Sequence, residues 1–215
     1  MKIVPCKQGE PDWVKARLGL PTASDLDQLV SASFETRTGA MPHTYLCKKL
    51  CERVMGFSTD FTGTFEMQQG SMLEHEAKPM FTLIHDVPIQ TVGFITTDDG
   101  RVGASPDGLI GTDCGIECKA PSPEKHLQWL LKGTLPAEHA AQVHGSMWVT
   151  GRSSWWFMSY SRQFPPLMIL VQRDAEIQAQ LTQAIGKFLK DFDNAMDKLT
   201  ALKAATAPRT KDEQW

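Results

Sequence analysis

A chain of 215 residues is long enough for one compact domain with its own core and short for two. Its 41% hydrophobic and 22% charged residues exclude a disordered chain, and a formal net charge of −3 speaks against a protein that coats nucleic acid by bulk positive charge. Residues 1–10 contain no apolar core of a secretory signal, and no apolar run approaches the ~20 residues of a membrane span, so a cytoplasmic setting, bacterial or phage-type, is expected. The five cysteines, Cys6, Cys47, Cys51, Cys114 and Cys118, are odd in number and lack an export signal, which favours reduced thiols. Both close pairs are spaced C-x₃-C with no His pair at finger spacing, so small buried hydrophobes are expected rather than a zinc site.

Helical signals dominate the first third. Residues 11–18 read as a short helix with Pro11 in its first turn. Thr22 is placed to cap a helix over 23–30, and 33–42 is a polar, Gly-containing loop. Tyr45, Leu46, Leu50 and Val54 form a helical stripe that stops at Gly56. A fourth helix is expected over 66–84, kinked or split by Pro79. The period then changes to strands at 91–97 and 101–104, joined by a turn at Asp98-Asp99-Gly100, and a third strand at 115–120. Ser122-Pro123-Glu124 starts a helix that ends near Gly133, and another covers 136–149. Strands follow at 155–160 and 167–172. Asp174 opens a long helix whose apolar positions Ile177, Leu181, Ile185, Phe188, Phe192, Met196 and Leu199 step by four and three, a docking face for the core. The organisation expected is a single α+β domain over 1–203, a mixed central sheet flanked by helices, with 204–215 as a mobile tail.

Two short stretches carry chemistry. Ser105-Pro106-Asp107-Gly108 has the composition of a type I turn, and Glu117-Cys118-Lys119 lies in a predicted strand. Two positions apart in a strand, Glu117 and Lys119 project from one face while Ile116 and Cys118 project from the other. A short turn-rich link lets Asp107 end the neighbouring strand. Two carboxylates and an amine then surround one point. Mg²⁺ takes hard oxygen ligands, commonly one or two carboxylates with waters and a substrate phosphate. Such an ion neutralises a phosphodiester and acidifies water, and Lys119 is placed to orient or deprotonate that water. The alternative reading of each stretch is a plain turn and a surface Glu/Lys pair.

The Pro-Asp…Glu-x-Lys pattern resembles the core of the PD-(D/E)XK nuclease superfamily. Further motifs narrow the resemblance to its lambda-exonuclease-type (YqaJ-like) recombination nucleases: Trp13-x₃-Arg17 with Thr22-Ala23-Ser24, Gly70-x₃-Glu74-x₂-Ala77, Ala104 to Leu109, and Ala141-Gln142-Val143 with Met147 to Gly151. The matches run in order from about Trp13 to Tyr160. This resemblance implies a restriction-endonuclease-like fold. Asp107 and Glu117 would hold the metals, with the Cys118 carbonyl as a further ligand and Glu74 reaching a second ion or its waters. Lys119 would activate the nucleophile and Gln142 would position it or the scissile phosphate. Arg17 would bind a 5′-terminal phosphate with Thr22 or Ser24 hydroxyls, since guanidinium matches phosphate in bidentate fashion. Trp13, one turn earlier on the same face, would stack on a terminal base or pack in the core.

The implied activity is a 5′→3′ exonuclease on linear double-stranded DNA using two Mg²⁺, with Mn²⁺ as substitute. It would release mononucleotides and leave 3′ single strands for recombination. A ring-shaped homotrimer and a single-strand annealing protein as partner are implied as well. Rival readings are a structure-specific or restriction-type endonuclease on the same fold, and a non-catalytic DNA-end-binding scaffold. An iron–sulfur branch would need four ligating cysteines, which the positions of these cysteines suit poorly. His75, His139 and His144 are expected to be structural or exposed. Cys118 stands where an aliphatic residue is commoner, although only its carbonyl would be used.

Overall fold

The computed structural model describes residues 1–58 and 76–206. Glu74, Gly70, His75 and much of the fourth expected helix lie outside the described residues. Two strands buried along most of their length form the middle of the main sheet. Strand β6 (Cys114–Lys119) runs parallel to β7 (Ser154–Ser159), in register from Cys114↔Ser154 to Lys119↔Ser159. A parallel pair needs a long crossover. Here it is supplied by α4 (Pro123–Lys132) and α5 (Ala137–Thr150). Strands β2 (Ile89–Gln90), β5 (Gly108–Ile110) and β8 (Leu167–Gln172) pair antiparallel, giving the mixed order β2-β5-β6-β7-β8. A second, three-stranded sheet has the order β1-β3-β4, from Lys2–Val4, Phe94–Thr96 and Gly103–Ala104.

The pleat divides the interior. Trp155 and Phe157 join the larger core with Val143 and Met147 of α5 and Leu181, Ile185 and Phe188 of α6 (Ala175–Thr206). Ile116, Cys118, Met158 and Tyr160 face the other way, against Ala77 and Phe81 of α3, the helical stretch 76–85. Each fully buried large side chain contributes roughly 1.5–3 kcal/mol by leaving water. Glu117 alternates onto the larger-core face, the one that α5 covers. The α6 stripe docks as expected through Met196. Helices α2 (Ala40–Met55), α4 and α5 each end at a glycine with positive φ, at Gly56, Gly133 and Gly151.

Several local readings differ. The segment after Thr22 is a 3₁₀ turn, η1 (Ala23–Gln28), not a helix to residue 30, and Thr22 makes no cap bond. Its hydroxyl donates instead to Asp25 Oδ2 at 3.1 Å. Residues 105–107 link β4 to β5 with a bend at Asp107 rather than forming a reverse turn. Helicity runs through Pro79, which is exposed, and residues 204–206 still belong to α6 rather than to a tail. Strands β1, β2 and β5 carry too few residues to show a period of two. Among the described residues no helix is long and apolar enough to cross a membrane.

Two devices bring the later site together. Arg152, 6% exposed, donates to the carbonyls of Ile110, Gly111 and Cys114 at 3.3, 3.0 and 2.7 Å, pinning the β5–β6 turn. Gly145 lets η1 lie directly on α5: a Cβ there would stand 2.4 Å from Leu26 Cδ1. Leu26 is fully buried and cannot yield cheaply. Gly145→Ala is therefore expected to cost about 1–3 kcal/mol, read as a lowered urea midpoint with an unchanged m-value.

Candidate active site

The β5–β6 hairpin sets the first pair of carboxylates. Gly108 lies opposite Ile116, so Asp107 enters the hairpin beside Glu117. The Cys118 N–H donates to Asp107 Oδ2 at 2.7 Å, fixing that carboxylate at the strand end. Glu117 is 3% exposed and is engaged by two donors at Oε1: Lys119 Nζ at 2.7 Å and Gln142 Nε2 of α5 at 2.5 Å. A buried carboxylate needs such cationic and hydrogen-bonding partners to stay ionised. From α3, Lys78 brings its ammonium to 3.9 Å from Asp107 Oδ1. Thus Asp107, Glu117, Lys119 and Gln142 meet.

Trp13 and Arg17 come from α1 (Pro11–Arg17), whose one-turn spacing puts both on the same side. Arg17 Nη1 donates to Ser105 Oγ at 2.7 Å, and Nη2 lies 3.5 Å from Thr22 Oγ1 and 3.4 Å from Ser24 Oγ. Trp13 Nε1 donates to the same Ser105 hydroxyl at 2.9 Å, and the guanidinium carbon sits 4.5 Å from the indole centroid. Such a cation–π contact orients Arg17, and Trp13 is half-buried and lies outside the core. Burial lowers the Arg17 pKa, with the Asp25 and Glu52 carboxylates opposing the shift. A guanidinium remains cationic even so.

One cavity of about 190 Å³ is lined by both groups, including Arg17, Ser24, Ser105, Asp107, Glu117 and Lys119. A larger cavity of about 420 Å³ lies between α6 and the 99–101 turn, but its Arg101 and Asp193 pair with each other at 2.6 Å. Convergent side chains, not volume, select the site. The carboxylates of Asp107 and Glu117 are hard oxygen donors suited to Mg²⁺. Among the described residues no cluster of three or more His, Cys, Asp or Glu is arranged for a metal, and all five cysteines are free thiols. Cys47 and Cys51 are exposed rather than buried as expected.

Sequence reasoning missed four lining or contacting residues. Ser105 was hidden as a turn former, although it accepts from both Trp13 and Arg17. Gln8 donates to the Pro106 carbonyl at 2.9 Å and lines the cavity with Ser146. Lys78 stands one residue after the Gly-x₃-Glu-x₂-Ala motif, and that adjacency was the available signal.

The model of the YqaJ-like viral recombinase domain matches residues 12–153, and the chain belongs to that family. Its fold is that of the lambda-exonuclease-like nucleases. An alkaline exonuclease of Laribacter hongkongensis, LHK-Exo, is 27% identical, with a TM-score of 0.83 over 92% of this chain and 100% of that one. The same values hold for LHK-Exo in complex with dAMP. A phage-related exonuclease from Haemophilus somnus shares the fold at 14% identity and a TM-score of 0.65, covering 84% of this chain and 96% of that chain. Comparison with curated protein sequences gives no match.

His139 marks the edge of the site. Its ring stacks on Phe157 at 5.3 Å and meets Trp129 edge-on at 5.2 Å. Burial, then the charge of Lys119, pulls its pKa from 6.5 to about 4. The folded state therefore favours neutral imidazole. That contribution is complete above pH 6.5 and is lost as pH falls toward 4, because the unfolded chain takes the proton first. Denaturation midpoints should drop across this window, and His139→Gln should flatten the drop.

Proposed function

We propose that this chain is a Mg²⁺-dependent exonuclease that degrades one strand of linear double-stranded DNA in the 5′→3′ direction. It leaves 3′ single-stranded overhangs for recombination by strand annealing. The observation that carries the reading is the single cavity lined by both carboxylates and the Arg17–Ser24–Ser105 donors. A phosphate held at Arg17 keeps a strand terminus beside the carboxylates, so cleavage falls close to the end and releases mononucleotides. A similar exonuclease has been solved with dAMP, a mononucleotide, which supports that product.

Asp107 and Glu117 hold the metal, with the Cys118 carbonyl as a further ligand. Glu74 serves a second ion, and Mn²⁺ substitutes for Mg²⁺. Polarisation of the phosphodiester is the chemistry Mg²⁺ supplies when bound there. Lys119, 2.7 Å from Glu117, orients the attacking water and, once its ammonium has released a proton to solvent, accepts the water's proton as the neutral amine. Gln142 holds the Glu117 carboxylate in place through its amide. Arg17 grips the terminal phosphate, Ser24 and Ser105 add hydroxyls, and Trp13 braces Arg17. Family membership supports the recombination setting, and a homotrimer around DNA with a single-strand annealing partner completes the proposal.

End-labelled linear duplex tests this directly. With Mg²⁺ the 5′ label should be lost first; with chelator neither label is lost, and Ca²⁺ should not support turnover. Loss of the 3′ label first overturns the polarity. Sealed circular plasmid should stay intact, whereas the rival endonuclease cuts it. Lys119→Ala should lower cleavage by roughly 10²–10⁴-fold while DNA binding persists, and unchanged cleavage would refute the site. Arg17→Ala should erase preference for 5′-phosphorylated over 5′-hydroxyl ends.

A further inference from the structure

Behind the Arg17 pocket lies a buried charge cluster that the proposed reaction does not use. Lys49 and Glu52 of α2 are 5% and 4% exposed and pair at 3.1 Å. Lys49 also stands 3.8 Å from Asp25 Oδ2. Glu52 Oε2 accepts the Gly19 N–H at 2.9 Å, directly after α1. Asp25 Oδ2 accepts from Thr22 Oγ1 at 3.1 Å and from Tyr45 Oη at 3.2 Å, while the Thr22 N–H reaches Tyr45 Oη at 3.4 Å. Burial first, then Asp25, holds the Tyr45 pKa well above its usual value, so it remains a neutral donor.

Two consequences follow. The only hydroxyl proton of Thr22 is committed to Asp25, which leaves its oxygen as an acceptor toward Arg17 Nη2. Thr22 therefore positions Arg17 and also receives the Ser24 hydroxyl at 3.0 Å, so the donors facing an anion are Arg17 and Ser105, joined by Ser24 once its hydroxyl turns from Thr22. Secondly, two carboxylates lie close behind a pocket proposed to bind an anion. With Arg17 and Lys49 they form a balanced set, and without Lys49 the pocket would carry surplus negative charge in a region of poor screening.

We infer that Lys49 is a positioning and charge-balancing residue for the 5′-phosphate pocket, acting through Asp25 and Glu52 on the Gly19–Ser24 segment. This rests on the proposed role of Arg17. The test compares KM and kcat for linear duplexes with 5′-phosphate and 5′-hydroxyl ends, alongside Tm. Lys49→Met should raise KM for the phosphorylated end on the order of tenfold, with a much smaller effect on the hydroxyl end. Glu52→Gln keeps an acceptor for Gly19 and removes a negative charge, so it should lower that KM. The double variant Lys49→Met/Glu52→Gln restores the balance and should return toward the wild-type preference. A purely structural role predicts damage from both single changes and no recovery; that pattern, or no change in any variant, overturns the inference. Where Lys49→Met fails to fold, Glu52→Gln and the double variant decide by the sign of the KM shift. A wild-type chain indifferent to the 5′-phosphate overturns the pocket itself and this inference with it. A wild-type preference abolished by Arg17→Ala but insensitive to Glu52→Gln and to the double variant overturns the inference alone.

Discussion

The antiparallel register of β5 and β6, with Gly108 opposite Ile116, places Asp107 beside Glu117, and the remaining site geometry is arranged around that pairing. A slip of one residue would turn Glu117 and Lys119 into the α3 core and Ile116 and Cys118 toward Gln142. Arg152 resists such a slip by binding three carbonyls of the hairpin, and the Cys118 N–H locks Asp107 to the same strand. Main-chain geometry, more than side-chain preference, holds the carboxylates together.

The second constraint is electrostatic. Glu117 is nearly inaccessible, and leaving a carboxylate there without partners would cost several kcal/mol. Lys119 and Gln142 meet that demand, so the groups that stabilise the folded state are those proposed to act in catalysis. The same economy appears at Arg17, whose burial is offset by the carboxylates of Asp25 and Glu52. Ion pairs on the surface, such as Lys187–Asp191, carry no comparable weight.

Close packing joins the two regions. Gly145 allows η1 to rest on α5, and η1 carries Ser24 while α5 carries Gln142. The Thr22↔Gly103 bridge ties the same loop to β4, which leads into Ser105 and Asp107. Pocket and carboxylates are thereby parts of one rigid wall rather than neighbours on separate loops.

Long periodic segments were legible in the chain alone: the α6 stripe, the Ser122 and Gly133 boundaries of α4, and strands β6 to β8 follow from spacing and turn chemistry that act over a few residues. The in-strand pairing of Glu117 with Lys119 was likewise determined locally, because a period of two admits no other face. Tertiary structure alone decided that Ser105 joins Trp13 and Arg17 across some ninety positions of chain, and that Thr22 serves Asp25 rather than a helix end. It also decided that Lys49 and Glu52 are buried, although their composition suggests a solvated helix face. These contacts join segments far apart in sequence, and their energy comes from excluding water around groups whose partners no local pattern specifies.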